Sequence, residues 1–198
     1  MRRPAHRVTT LFALAACVVS ACGEKDREQR TPPREKADRP AKPPPGWRTV
    51  RNPAAGFTVA APRSWSARRR KGTTVLRSPD RVVALTLAAD RSGAGRQKAG
   101  TAYARETLAA LPGFEGTTEP GVGRVSGSPY RTAVVRASGS VRRSPNPQLI
   151  TVAVLQRPRK VTYSAVAFTD PAAGDALVLR LLGTFRARPP RQRSGRSG

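Results

Sequence analysis

The two cysteines of this 198-residue chain both lie within its first 22 residues, at positions 17 and 22. Residues 23–198 therefore contain no cysteine, and whatever folds there can have no internal disulfide. A domain of about 140 residues can bury enough apolar surface to be stable without such a cross-link. The chain must accordingly fold around an ordinary hydrophobic core, and its cysteines must serve another purpose.

The segment that carries the cysteines has the order of an export signal. Residues 1–7 are basic, and the 14 residues from 8 to 21 contain no charge. This run is shorter than the ~20 residues that a membrane-spanning helix needs. Small residues precede each cysteine, as they do before a cleavage site. We therefore predict a signal peptide at residues 1–21.

Each cysteine also ends a tetrad that resembles the bacterial lipobox, Leu-Ala-Ala-Cys at 14–17 and Val-Ser-Ala-Cys at 19–22. The resemblance implies diacylglycerol on the sulfur, and two acyl chains hold a protein stably at a membrane. Cys22 is the preferred lipidation site because it uses the whole apolar run. Cys17 is the alternative, and an ordinary secretory signal with incidental cysteines is another. The predicted location is the extracytoplasmic face of the cell membrane, through the lipid anchor.

Two segments have compositions that do not support a packed core. Residues 23–46 contain six prolines and 12 charged side chains with almost no apolar residue, and residues 186–198 are rich in Arg, Pro, Ser and Gly. Such segments bury too little apolar surface to offset chain entropy. We predict a disordered tether at 22–46, a folded domain at 47–185 and a disordered basic tail at 186–198.

The chain has a formal net charge of +25, with 37 basic and 12 acidic residues. A surface of this kind attracts polyanions. Outside the membrane the candidate partners are anionic lipid, an anionic wall polymer or an envelope protein, and nucleic acid is not expected. The alternative is that the arginine content reflects the codon usage of a GC-rich genome and has no binding role.

Hydrophobic periodicity within residues 47–185 predicts both strands and helices. Alternation with a period of two indicates strands, and an i, i+4, i+7 apolar stripe indicates a helix at 97–111. Asp170 and Pro171 suit the first turn of a second helix that ends at Gly183. The predicted strands are residues 57–61, 73–77, 81–89, 131–138, 149–156 and 160–168. We predict an α+β fold in which two helices cover an antiparallel sheet.

Short motifs add a resemblance to this fold. Gly-Phe-Thr-Val at 56–59, Pro-Arg-Ser-Trp at 62–65 and a Ser-Pro-Asp turn at 78–80 resemble the PsbP-like and DcrB-like α/β/α sandwich families over residues 47–185. The resemblance implies a non-catalytic exported module that is often lipid-anchored. The metal-binding histidines of some relatives have no counterpart here, so neither a metal site nor a cofactor is expected.

The predicted mature chain lacks the side chains of the common nucleophilic sites. His6 is the only histidine and lies in the signal segment, so Ser-His-Asp and Cys-His arrangements are excluded. No catalytic residue is predicted, and the chain is not expected to be an enzyme. The alternative is a carboxylate-dependent hydrolase at the cell envelope. Its candidate acids are Asp80, Asp90, Glu106, Glu115, Glu119, Asp170 and Asp175.

One cluster of cations is a candidate binding site. Arg68, Arg69, Arg70 and Lys71 are consecutive and precede the strand at 73–77. Four adjacent cations at a hairpin tip cannot all be buried. They predict an anion-binding site with Trp65 beside it, or else a solvated turn with Trp65 in the core. Basic turns at 142–143 and 157–160 would enlarge the patch if the strand order brings them to the same end of the sheet.

Overall fold

The computed structural model describes residues 42–90, 93–142, 144–157 and 161–188. The predicted signal peptide, both cysteines, most of the predicted tether and the tail from residue 189 lie outside the described residues. Arg143 and residues 158–160 of the two basic turns also lie outside them.

The described ranges contain ten strands, two helices of at least eight residues and one short helix. In chain order they are β1 (Trp47–Asn52), β2 (Phe57–Pro62), β3 (Ser66–Arg70), β4 (Thr73–Arg77), β5 (Val83–Asp90), α1 (Ala94–Gln97), α2 (Gly100–Ala109), β6 (Glu115–Thr118), β7 (Arg131–Val141), β8 (Ser144–Gln156), β9 (Thr162–Thr169), α3 (Ala176–Gly183) and β10 (Arg186–Ala187). None of the described helices has the length and apolar character needed to cross a bilayer.

All strand pairs are antiparallel, and they form two sheets. The larger sheet has the order β3-β4-β5-β9-β8-β7-β6, and the smaller one has the order β1-β2-β10. The predicted α+β class, with antiparallel pairing and two covering helices, is confirmed. The order follows from hairpins in which consecutive strands pair, except that β9 returns to lie between β5 and β8.

Side chains on the two faces of the larger sheet enter different cores, because successive residues of a strand point to opposite faces. On the inner face, the sheet packs against α3 and the smaller sheet through residues such as Leu85, Leu87 and Leu181. On the outer face, Ala104 and Leu108 of α2 pack on β7 and β8. The large sheet is therefore covered on one face by α3 and the small sheet, and on part of the other face by α2.

The segment that follows α3 closes the inner core with an aromatic cluster. Phe185 is fully buried, and its ring centroid lies 5.2 Å from that of Phe57 and 4.9 Å from that of Tyr163. Arg186 and Ala187 then pair with β2. These two residues, predicted to begin the tail, belong to the folded sheet, so the fold extends past residue 185.

The two helices predicted from the sequence have different boundaries in the structure. The helix predicted at 97–111 is divided into α1 and α2. The helix predicted from Asp170 begins only at Ala176. Asp170 instead holds a turn, in which its Oδ1 accepts a hydrogen bond from the Ala172 amide at 2.8 Å. Gly174 follows with a left-handed φ of 63° that interrupts a helix. The expected helix start was wrong for this reason.

Candidate anion-binding site

Three of the four consecutive cations lie in a strand, and the fourth lies in the turn that follows it. Arg68, Arg69 and Arg70 belong to β3, which is an edge strand of the larger sheet. Lys71 occupies the turn to β4 together with Gly72, whose φ is 77°. Trp65 is 5% exposed and packs in the inner core. It is therefore not placed as an exposed neighbour of the cations.

Strand alternation separates the cations onto two faces. Arg68 and Arg70 lie opposite Val75 and Thr73 of β4, on the outer face. Arg69 lies opposite buried Thr74, and its Nη1 donates a hydrogen bond to the Arg51 carbonyl oxygen at 3.3 Å. The structure thus places two of the four on one surface and does not bring all four together.

A third arginine joins this surface from the neighbouring strand. Arg77 lies opposite Ser66, so its side chain shares the outer face with Arg68 and Arg70. Arg68 and Arg70 are about 7 Å apart along the strand. Arg77 is a diagonal neighbour of Arg68, at about 7–8 Å. We call Arg68, Arg70 and Arg77 the arginine face.

The arginine face lines a groove of about 730 Å³. The other residues that line it are small, hydroxylic, aliphatic or basic: Ser64, Ser66, Thr73, Val75, Ser78, Pro79 and Arg81. Neither a carboxylate nor an aromatic ring is among them. The groove remains open because α2, which lies on the same outer face, packs on β7 and β8 toward the opposite edge of the sheet.

The positive charge of the arginine face is not paired with a carboxylate of any described residue. Among the described residues, ion pairs join Lys98 to Glu106 and Arg136 to Asp175. The guanidinium groups of the arginine face enter neither pair, and all three side chains are exposed. An exposed guanidinium retains five N–H donors for an external acceptor.

The turn between β4 and β5 forms one end of the groove. The hydroxyl of Ser78 donates a hydrogen bond to Oδ1 of Asp80, and the Val82 amide donates to the same oxygen at 3.1 Å. The Ser78 contact, followed by the Val82 contact, lowers the pKa of Asp80 below its ordinary value. Asp80 thus serves the turn, and the Ser-Pro-Asp sequence produces the predicted reversal.

Asn52 fixes the opposite end of the β3–β4 hairpin. Its side chain is 2% exposed, and Nδ2 donates to the Thr73 carbonyl oxygen at 2.8 Å and to Thr74 Oγ1 at 2.9 Å. Its Oδ1 accepts a hydrogen bond from the Ala55 amide at 3.0 Å. The turn that follows β1 is therefore hydrogen-bonded to β4, the strand that pairs with β3.

The other basic turns do not complete one patch. Arg157 follows β8 at the same end of the sheet as Lys71, but β4 and β8 are three strands apart, which is about 14 Å. Arg142 lies between β7 and β8 at the opposite end. The described parts of these turns are thus separate from the arginine face.

A larger cleft of about 1130 Å³ lies beside the N-terminus of α2 and is also lined by cations, including Lys98, Arg124 and Arg131. Two of its polar side chains, Lys98 and Gln156, have partners within the protein. Lys98 pairs with Glu106 at 2.5 Å, and Gln156 Nε2 donates to the Gly95 carbonyl oxygen at 2.8 Å. Arg124 and Arg131 are exposed and enter neither ion pair of the described residues, so the cleft offers two such arginines whereas the arginine face offers three.

Most of the candidate acids have local structural roles. Asp90 accepts a hydrogen bond from the Gly95 amide at 2.7 Å, and Asp175 pairs with Arg136 at 2.7 Å. Asp80 and Asp170 hold turns, as described above. Glu115 and Glu119 are exposed at or after β6. Across the described ranges, no group of three or more His, Cys, Asp or Glu residues is placed to hold a metal ion.

Sequence comparison identifies no relative: no protein-family model matches the chain, and no curated protein does. Solved structures do resemble it. A protein from Bacteroides thetaiotaomicron VPI-5482 aligns with a TM-score of 0.52 and 9% identity over 74% of this chain. The chain spans only 50% of that protein's length.

Cyanobacterial PsbP (CyanoP) from Synechocystis sp. PCC 6803 aligns with a TM-score of 0.50 and 13% identity, over 72% of this chain and 92% of that one. At such low identity a structural likeness shows the fold alone. The chain therefore has a PsbP-like fold, as its short motifs predicted. The resemblance to the DcrB-like family stays a prediction.

Proposed function

We propose that this chain is a non-catalytic binding lipoprotein, anchored through Cys22 to the extracytoplasmic face of the cell membrane. Export and anchoring are supported by the basic and apolar order of residues 1–21 and by the lipobox-like tetrad at 19–22. The proline-rich segment at 22–46 would separate the domain from the anchor. The PsbP-like fold is compatible with an accessory role of this kind.

A single observation supports binding as the activity: three exposed arginines on one sheet face line an open groove and have no acidic partner among the described residues. Exposed cations in a groove attract an anion without any bond being broken. The alternative, a carboxylate-dependent hydrolase, requires carboxylates directed into a cleft. Among the residues that the structure describes, no Asp or Glu lines the 730 Å³ groove or the 1130 Å³ cleft.

The proposal is tested by separating binding from turnover. The unlipidated mature chain, made soluble by Cys22→Ala, is incubated with isolated cell envelopes and recovered with whatever it retains. We expect an anionic envelope component to be retained in a salt-sensitive manner and with its mass unchanged. Product release that disappears when one of the seven domain carboxylates is replaced by its amide would establish the hydrolase instead.

A further inference from the structure

We propose that the arginine face binds a linear, phosphate-bearing polymer that lacks bases. This inference rests on the proposed function, because it names the ligand class of a module displayed outside the membrane. It differs from the sequence-level hypothesis in the residues involved. Arg77 belongs to the site, whereas Arg69 lies on the other face of β3.

The arrangement of the guanidinium groups suits an extended ligand. Arg68 and Arg70 form a row along β3, and Arg77 continues the surface toward the β4–β5 turn. The hydroxyl-bearing Ser66 and Thr73 lie on the same face, Ser66 opposite Arg77 and Thr73 opposite Arg70. Guanidinium groups bind phosphate oxygens in pairs through parallel N–H donors. Successive anionic groups along one polymer can therefore be contacted in turn.

The shape and composition of the surface argue against docking on a membrane. Binding to a bilayer interface commonly uses large apolar or aromatic side chains beside the cations. Among the described residues, the exposed large hydrophobic side chains are Val122 and Leu177, and neither lines this groove. Trp65, the nearby aromatic residue in sequence, is buried.

The same composition argues against single-stranded nucleic acid. Proteins that bind such strands combine cations with exposed aromatic rings on which bases stack. In the described part of the chain, the residues that line the groove are serine, threonine, valine, proline and arginine. A phosphate polymer without bases satisfies the charge and needs no stacking surface. Poly(glycerol phosphate) is a probe with this chemistry.

A second explanation for the cations is protection of a sheet edge. β3 is an edge strand, and charged side chains on an edge discourage pairing with another molecule. This explanation applies to Arg68, Arg69 and Arg70 alike. It does not apply to Arg77, because β4 lies between β3 and β5. Arg77 therefore distinguishes the two explanations.

The test measures binding of poly(glycerol phosphate) to the unlipidated mature chain by isothermal titration at several salt concentrations. The test variant is R68Q/R70Q/R77Q, and the matched control is R69Q/R105Q/R142Q, which removes the same charge from other surfaces. We expect the test variant to bind about tenfold to a hundredfold more weakly at low salt. We also expect the slope of log affinity against log salt to fall by about 2, since each phosphate contact in a single strand contributes about 0.7. The control should change affinity less than about threefold.

Several results would overturn the proposal. Equal weakening by both triple variants would show that only net charge matters. Equal affinity for polyglutamate would remove the preference for phosphate. Tighter binding to phosphatidylglycerol vesicles, lost in the same test variant, would identify a membrane surface as the occupant.

A single variant covers the case in which the triple variant aggregates. Arg77→Gln leaves the edge strand intact, and we expect it to weaken polymer binding about threefold to fivefold. Unchanged binding by this variant contradicts the proposal. Because the assay uses a soluble chain, a negative result bears on the ligand class and leaves the membrane anchor to be tested separately.

Discussion

Replacing Asn52 with alanine should destabilise the domain although it removes only a small side chain. Asn52 makes three hydrogen bonds of 2.8–3.0 Å, two as donor to Thr73 and Thr74 and one as acceptor from Ala55. Each intramolecular hydrogen bond contributes about 1 kcal/mol, and an unpaired buried partner adds to the loss. Thr74 is fully buried, so its hydroxyl cannot turn to water in place of Asn52.

The expected loss is therefore about 3 kcal/mol in the free energy of unfolding. For a domain of about 140 residues this corresponds to a decrease of about 10 °C in Tm. The assay is urea unfolding monitored by circular dichroism, with a thermal scan beside it. Asn146→Ala is the matched control, because Asn146 is exposed on β8 and should change stability by less than about 0.5 kcal/mol. A loss below about 1 kcal/mol for Asn52→Ala would show that this side chain does not hold the hairpin.

Two other predictions concern the core and the β4–β5 turn. Phe185→Ala should cost about 3–5 kcal/mol, because the ring is fully buried against Phe57, Tyr130 and Tyr163; a loss below about 2 kcal/mol in urea unfolding would contradict its central place in the core. Asp80 has a lowered pKa in the folded state, so its contribution to stability is present above the ordinary value of 3.8 and disappears as the pH falls through the folded value. The parent should therefore lose stability below pH 3.8 more steeply than Asp80→Asn, and equal pH profiles would show that the Ser78 and Val82 contacts are not maintained in solution.

The sequence predicted the strands that carry clear apolar alternation. The predicted strand at 73–77 coincides with β4, and the Ser-Pro-Asp turn lies between β4 and β5 as expected. In contrast, β3 has arginine on both faces, and β6 is exposed at all four positions. Neither strand has a buried face of large side chains, so the hydrophobic pattern could not reveal it. β10 has only two residues and depends on pairing with β2.

The candidate site could be predicted only in part for a related reason. Adjacent charges in the sequence identified Arg68 and Arg70 but also included Arg69, because a run of four cations does not show which side chains share a face. Arg77 was missed because its inclusion depends on the register of β3 against β4. Arg77 could have been found by assigning residues 66–70 to a strand that pairs with residues 73–77 across the turn at Lys71. In that hairpin, Arg77 shares a face with Arg68 and Arg70. The open half of the sheet depends on where α2 packs, which is a tertiary feature.

The most direct test of a lipid-anchored binding protein is the mass of the mature N-terminus, measured on material extracted from the membranes of cells that express the full chain. We expect the first residue to be Cys22 with a thioether-linked diacylglyceryl group, and we expect Cys22→Ala to release the protein from the membrane fraction. An unmodified N-terminus, or one that begins at Cys17, would contradict the proposed anchor.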